Sequence, residues 1–212
     1  MSFKRKGIML VIASPSGAGK TSITRSLLKN DDNLTMSVSL TTRPMRKGEV
    51  DGKDYHFRSI DEFNKMKDAG ELLEWAKVHD NYYATPKAQV DEMIKNGQDV
   101  IFDIDYQGTQ QLYEKCRADM VSVFILPPSI TELHERLKGR ALDSDEVISR
   151  RLKNAKIEIE HWPEYDFVLI NEDLDKAISD VRHILESARL ARIRQTSLSA
   201  FAKELQNQID EL

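Results

Sequence analysis

The apolar run from Ile8 to Ala13, followed at once by Ser14-Pro15-Ser16-Gly17-Ala18-Gly19-Lys20-Thr21, constrains this chain more than any other stretch. It reads as a buried strand, a tight loop of small residues and the start of a helix. In such a loop successive backbone N–H groups face an anion, Lys20 reaches its outer oxygens, and the Thr21 hydroxyl suits Mg²⁺ at the helix N-terminus. Ser14 stands where G-x-x-x-x-G-K-[ST] asks for its first glycine, but Gly17, Gly19, Lys20 and Thr21 keep the chemistry. The expected ligand is a nucleoside triphosphate, cradled by residues 14–21.

A chain of 212 residues, 40% hydrophobic and 31% charged, is long enough for one principal core with a smaller inserted module. The net charge of −4 argues against broad electrostatic binding to nucleic acid, so anion recognition falls to local arginine clusters and a small substrate is expected. Cys116 is the single cysteine, which excludes an internal disulfide or a multi-cysteine metal site and fits a reducing compartment, the cytoplasm. Lys4-Arg5-Lys6 before the first apolar run looks like the opening of a signal peptide. The run is too short and ends in the phosphate loop, and no other run reaches membrane-spanning length.

Short apolar runs recur at Ile8 to Ala13, Met36 to Leu40, Val100 to Ile104, Val121 to Leu126 and Phe167 to Ile170, separated by amphipathic segments of helix length. That alternation predicts an α/β fold, a phosphate-loop NTPase type with a parallel five-stranded sheet covered by helices. Ser59 with Glu62, and Ser129 with Glu132, fit helix-starting capping boxes, and Gly70 and Gly97 sit where helices should stop. The core is expected at 1–40, 86–127 and 161–190. Residues 41–85, with Arg43-Pro44, Asp51-Gly52 and short aromatic runs, read as an inserted small mixed-β lobe. Residues 128–160 read as an arginine-rich helical lid, and 191–212 as a helical extension. The stripe Val181, Ile184, Leu185, Ala188, Ala191 should pack on the sheet. The later stripe Leu198, Phe201, Ala202, Leu205, Ile209, Leu212 either covers a local groove or joins subunits in a homodimer.

Phosphoryl transfer asks for positive charge where negative charge migrates. Arg136 and Arg140 lie one helical turn apart, and Arg151 can approach from the following helix. Arg43 and Arg46 form a second cluster after a predicted strand, with Tyr55 and Tyr83 as phenols that either donate to the same phosphate or simply edge the core. Asp103 and Asp105 close the third apolar run, where they either face a ligand or cap the next helix. Asp105-Tyr106-Gln107-Gly108 fits the D-x-x-G of regulatory GTPases, but no N-K-x-D follows it.

Taken together, SPSGAGKT, SVSLTTRPMRKGEVDGKDYHF, LLEWAKVHDNYYAT, VIFDIDYQG, FILPPS, ERLKGR and VLINEDLD, in this order, closely resemble the guanylate kinase family over about residues 5–190. The resemblance implies transfer of the γ-phosphate of ATP to GMP, with dGMP not distinguished, by an enzyme of core, GMP-binding lobe and lid. It implies that Ser39, Glu74 and Thr85 recognise guanine, that Arg43, Arg46, Tyr55 and Tyr83 hold the GMP phosphate, and that Asp105 lies near the acceptor. Asp103 is implied near Mg²⁺ through water, Lys20, Arg136, Arg140 and Arg151 at the transferring phosphoryl group, and Asn171 near the ATP base. The guanine assignment has a physical basis: adjacent N1–H and N2–H donors suit a carboxylate such as Glu74, whereas adenine presents an acceptor at N1. Thr85 stands where many relatives have serine, Ala84 replaces a usual glycine, and Ala141 follows Arg140 where glycine is usual. A non-catalytic protein-binding module of the same fold is disfavoured because the phosphate-loop lysine and the lid arginines are present.

Overall fold

The computed structural model describes residues 4–78, 80–139 and 145–211. The first apolar run becomes β1 (Met9–Ala13), buried along its whole length, and the glycine-rich loop leads into α1 (Lys20–Asn30). After β2 (Leu34–Met36) the chain leaves the core for a lobe made of β3 (Leu40–Thr41), β4 (His56–Phe57), α2 (Ile60–Asp68), β5 (Leu72–Val78) and β6 (Asn81–Pro86). It returns through α3 (Lys87–Lys95), β7 (Asp99–Phe102), α4 (Tyr106–Cys116) and β8 (Met120–Leu126). The helices α5 (Ile130–Lys138) and α6 (Asp145–Glu160), in the segment expected to be a lid, precede β9 (Phe167–Ile170), α7 (Leu174–Leu190) and α8 (Leu198–Asp210).

The core sheet is parallel, in the order β2-β7-β1-β8-β9, with Met9 opposite both Val100 and Met120. Because side chains alternate along β1, Ile8, Leu10 and Ile12 meet Ile23 and Leu27 of α1 and Val181 and Leu185 of α7, while Met9 and Val11 join Val90, Ile94 and Leu112 of α3 and α4. Burial on both faces explains the unbroken apolar runs. Since β7 and β1 are parallel neighbours, the loops at their carboxyl ends, residues 103–105 and 14–19, emerge side by side.

The lobe is a mixed four-stranded sheet, β4-β3-β6-β5, with β3 parallel to β4 and antiparallel to β6. Phe63 of α2 closes it, stacked on Tyr82 at 4.5 Å among Leu40, Leu72 and Ala84. The expected strand from Met36 to Leu40 is corrected here: it is two strands in two sheets, β2 pairing with β7 and β3 with β6, and residues 37–39 carry the chain across. The Ser59–Glu62 capping box forms in both directions. Ser129 caps α5 through the Glu132 N–H, whereas the Glu132 carboxylate turns to Arg136. Gly70 and Gly97 follow α2 and α3 with φ of +71° and +85°. The helices α5 and α6 share Leu133, Leu137, Ile148 and Ala155. Val181, Ile184, Leu185 and Ala188 of α7 pack as expected, whereas no described residue of α8 is fully buried, Phe201 is half-buried and Ile209 is 67% exposed. Leu212 lies outside the described residues.

Candidate active site

The loop after β1 turns through two glycines with positive φ, Gly17 at +95° and Gly19 at +108°. A side chain at Gly19 would also meet the Asn171 amide nitrogen at 2.2 Å, because Asn171, at the end of β9, donates to the Ala18 carbonyl at 2.7 Å. Asn171 is 3% exposed, its Oδ1 has no hydrogen-bond partner, and its own carbonyl accepts from Arg136 at 3.2 Å. It braces the loop from the side of β9 and is not among the residues of the cavity wall described next.

Ser14, Pro15, Ser16, Gly17, Gly19, Lys20 and Thr21 line a cavity of about 330 Å³; Asp103, Ile104, Asp105 and Glu158 complete its far side. Ala18, the remaining loop residue expected at the triphosphate, is fully buried. Burial lowers the Lys20 ammonium to about 8, while Glu158 and Asp105 pull upward. The Asp103 carboxylate is ion-paired with it, so Lys20 acts as a cation at neutral pH.

A second cavity, of about 280 Å³, is lined by Ser39, Tyr55, Glu74, Ala76, Val78 and Tyr83 of the lobe and by the same Asp103, Ile104 and Asp105. The two cavities therefore share one wall, the loop between β7 and α4. Glu74 is 4% exposed and accepts from the Thr85 hydroxyl at 2.6 Å. Burial pushes its carboxyl up to about 7, with the Thr85 bond opposing and Asp105 adding. Thr85 is fully buried and absent from the cavity wall, so it serves the site through Glu74. Asp105 does both things open to it: its carboxylate caps α4 by accepting the Gly108 N–H at 3.0 Å, and it lines both cavities.

Beside the second cavity, Arg43 forks onto Glu49 at 2.8 and 2.9 Å and lies 5.2 Å from the Tyr55 ring. The Arg46 backbone N–H donates to the same carboxylate at 2.7 Å. These bonds, Arg43 first, hold the Glu49 carboxyl down to about 2. Tyr55 and Tyr83 meet edge to face at 6.0 Å. Glu49, which no motif marks as a partner of Arg43, takes the guanidinium fork expected for a phosphate.

The arginines expected on the lid are less gathered. Arg136 bonds Glu132 and the Asn171 carbonyl, and neither it nor Arg151 lines the first cavity. Arg140 lies outside the described residues, as does Ala141. Leu133 and Leu137 of α5 lie against Gly17, and Glu158, near the end of α6, accepts the Ser16 N–H at 3.3 Å. Sequence reading passed over it, because a glutamate on an amphipathic helix carries no mark of its tertiary partner.

A parallel sheet, a glycine-rich loop after its first strand, and a second cavity with a buried carboxylate beside it are the parts expected of a nucleotide-binding α/β protein. The comparisons are more specific. The guanylate kinase family model matches residues 6–188. The guanylate kinase of Paramagnetospirillum magneticum is 56% identical over 201 residues, covering 95% of this chain and 94% of its own length. That of Nitrobacter hamburgensis is 56% identical over 207 residues, covering 98% and 94%. The crystal structure of guanylate kinase from Anaplasma phagocytophilum superposes with a TM-score of 0.75 at 36% identity, covering 94% of this chain and 95% of that one. The chain belongs to the guanylate kinase family.

Proposed function

We propose that this enzyme moves the γ-phosphate of ATP to GMP, giving ADP and GDP, with ATP at the loop after β1 and GMP in the lobe cavity. The observation that carries the reading is that residues 103–105 line both cavities, which supports donor and acceptor phosphates meeting beside that one loop. A GMP phosphate oxygen attacks the γ-phosphorus as the bond to the β,γ-bridging oxygen breaks, and ADP leaves. The N–H groups of residues 16–21 and Lys20 hold the donor phosphates, and Arg43, Arg46, Tyr55 and Tyr83 hold the acceptor phosphate. Glu74, kept in place by Thr85, accepts N1–H and N2–H of guanine with Ser39 beside it, and Asp105 sits over the acceptor. Lys20, Arg136, Arg140 and Arg151 supply the positive charge at the transferring group when the lid closes, and Asn171 serves the ATP side by bracing the loop through the Ala18 carbonyl.

Mg²⁺ fits the donor set. Among the described residues no cluster of three or more His, Cys, Asp or Glu forms a metal cage, and Mg²⁺ with a nucleotide asks for few protein ligands. Thr21 and, through water, Asp103 would hold it, and its charge would offset that of the phosphates. Among the described residues no helix is long and apolar enough to cross a membrane, which is consistent with a place in the cytoplasm. The test is ADP release from ATP and Mg²⁺ with GMP, AMP, CMP or UMP as acceptor. Turnover with GMP exceeding each of the others by about 10³-fold or more supports the reading, and preference for another base overturns it.

A further inference from the structure

Gly108 has no conformational need to be glycine: it lies in the first turn of α4 and is not one of the glycines with positive φ. What surrounds it does select glycine. A Cβ there would stand 2.7 Å from Glu74 Oε2, 3.3 Å from its Cδ and 3.3 Å from Ile104 Cβ. The helix has little freedom to retreat, because Gln111 bonds both sides of the Trp75 backbone, donating to its carbonyl at 2.7 Å and accepting its N–H at 3.1 Å. Lys115 further ties α4 to the Leu73 carbonyl at 2.8 Å. These contacts bracket Glu74 on the edge strand β5 and fix its distance from α4. Its Oε1 is held by Thr85, so the carboxylate stands between a hydroxyl of the lobe and the bare Cα of a core helix.

We infer that Gly108 is a positioning residue for base selection: the missing side chain at this point of α4 leaves the space in which the Glu74 carboxylate faces the acceptor base. The D-x-x-G stretch thus has a use unrelated to GTP hydrolysis, its aspartate capping the helix and its glycine making room for the base-reading carboxylate. The inference rests on the reading of Glu74 as the guanine acceptor. An alanine at 108 is a better helix former than glycine and meets mainly the end of a flexible side chain, so Gly108→Ala folds, with the carboxylate pushed off its line.

The experiment is steady-state kinetics of Gly108→Ala with GMP and with IMP, which lacks the 2-amino group, alongside Glu74→Ala, the double variant and Gln110→Ala as a control on the exposed side of the same helix. Gly108→Ala is expected to raise KM for GMP about ten- to a hundredfold, the scale of a misaligned hydrogen bond to a charged group, with KM for ATP within about twofold. The preference for GMP over IMP should shrink, and in the Glu74→Ala background the same change should add less than about twofold. Loss of kcat, both KM values and thermal midpoint together, or equal effects with and without the Glu74 carboxylate, would overturn the inference. If Glu74→Ala leaves KM for GMP unchanged, the guanine reading itself fails; if it raises KM and Gly108→Ala does not, only the role of Gly108 falls.

Discussion

The Glu158 carboxylate accepts a hydrogen bond from the Ser16 backbone N–H at 3.3 Å, so a side chain of α6 stands at the glycine-rich loop, inside the cavity proposed for the triphosphate. Its position is fixed from behind, since His161, just past the end of α6, stacks on Tyr106 of α4 with ring centroids 3.8 Å apart. Burial raises the Glu158 carboxyl, against the Ser16 bond and Lys20, which lower it. A triphosphate entering the loop competes with this carboxylate for the same N–H and the same lysine. Arg151 lies seven residues earlier on α6, two turns along the same face, so release of Glu158 frees the helix that carries it. Glu158→Ala is expected to tighten ATP binding about threefold or more in calorimetric titration, with GMP binding unchanged. Weaker ATP binding would show that the carboxylate assists the nucleotide.

Glu74 makes the acceptor side sensitive to pH. On the proposed reading, guanine offers two N–H hydrogen-bond donors that only the ionised carboxylate accepts together, and the Glu74 value of about 7 places the transition in the neutral range. The kcat/KM for GMP should rise with pH up to about 7 and then level, and Glu74→Gln should lower the plateau and flatten this rise. A rise of the same shape in the variant would assign it to another group.

The same carboxyl affects folding with a definite sign. Its folded-state value lies above the ordinary 4.5, so the native state holds the proton more tightly than the unfolded chain. The favourable contribution is complete below about pH 4.5 and is lost as pH rises through about 7. Glu74→Gln should therefore melt higher than the parent above pH 7, by several degrees, and converge with it near pH 4.5. Parallel melting curves across that range would contradict the burial argument.

On the phosphate side of the lobe, the Arg43 fork is set by Glu49 and flanked by Tyr55. A lysine keeps the charge and loses the fork, so Arg43→Lys is expected to raise KM for GMP about tenfold with little change in KM for ATP. An effect confined to ATP would move Arg43 out of the acceptor site.

What could be read from the sequence follows how local each signal is. The loop from Ser14 to Thr21 was legible because strand, glycines and lysine are consecutive, and the Ser59–Glu62 box because both partners lie three residues apart. The run from Met36 to Leu40 misled because apolar residues on either side of Ser37–Ser39 serve different sheets, which only long-range pairing decides. Glu158, Glu49 and the clamp from Asn171 to Ala18 depend on tertiary neighbours 142, 6 and 153 residues away or on side-chain direction, so periodicity is blind to them. The stripe on α8 has the same spacing whether it meets its own chain or solvent, and among the described residues it is half-buried at Phe201 and exposed at Leu205 and Ile209.

Two nucleotides are expected to meet beside residues 103–105, which line both cavities. Calorimetric titration with adenosine and guanosine joined 5′ to 5′ through five phosphates tests it most directly. One molecule should bind per chain, at least about 10²-fold more tightly than ATP or GMP alone, and lose that gain in both Lys20→Ala and Glu74→Ala. Binding no tighter than the separate nucleotides, or two molecules per chain, would contradict the account.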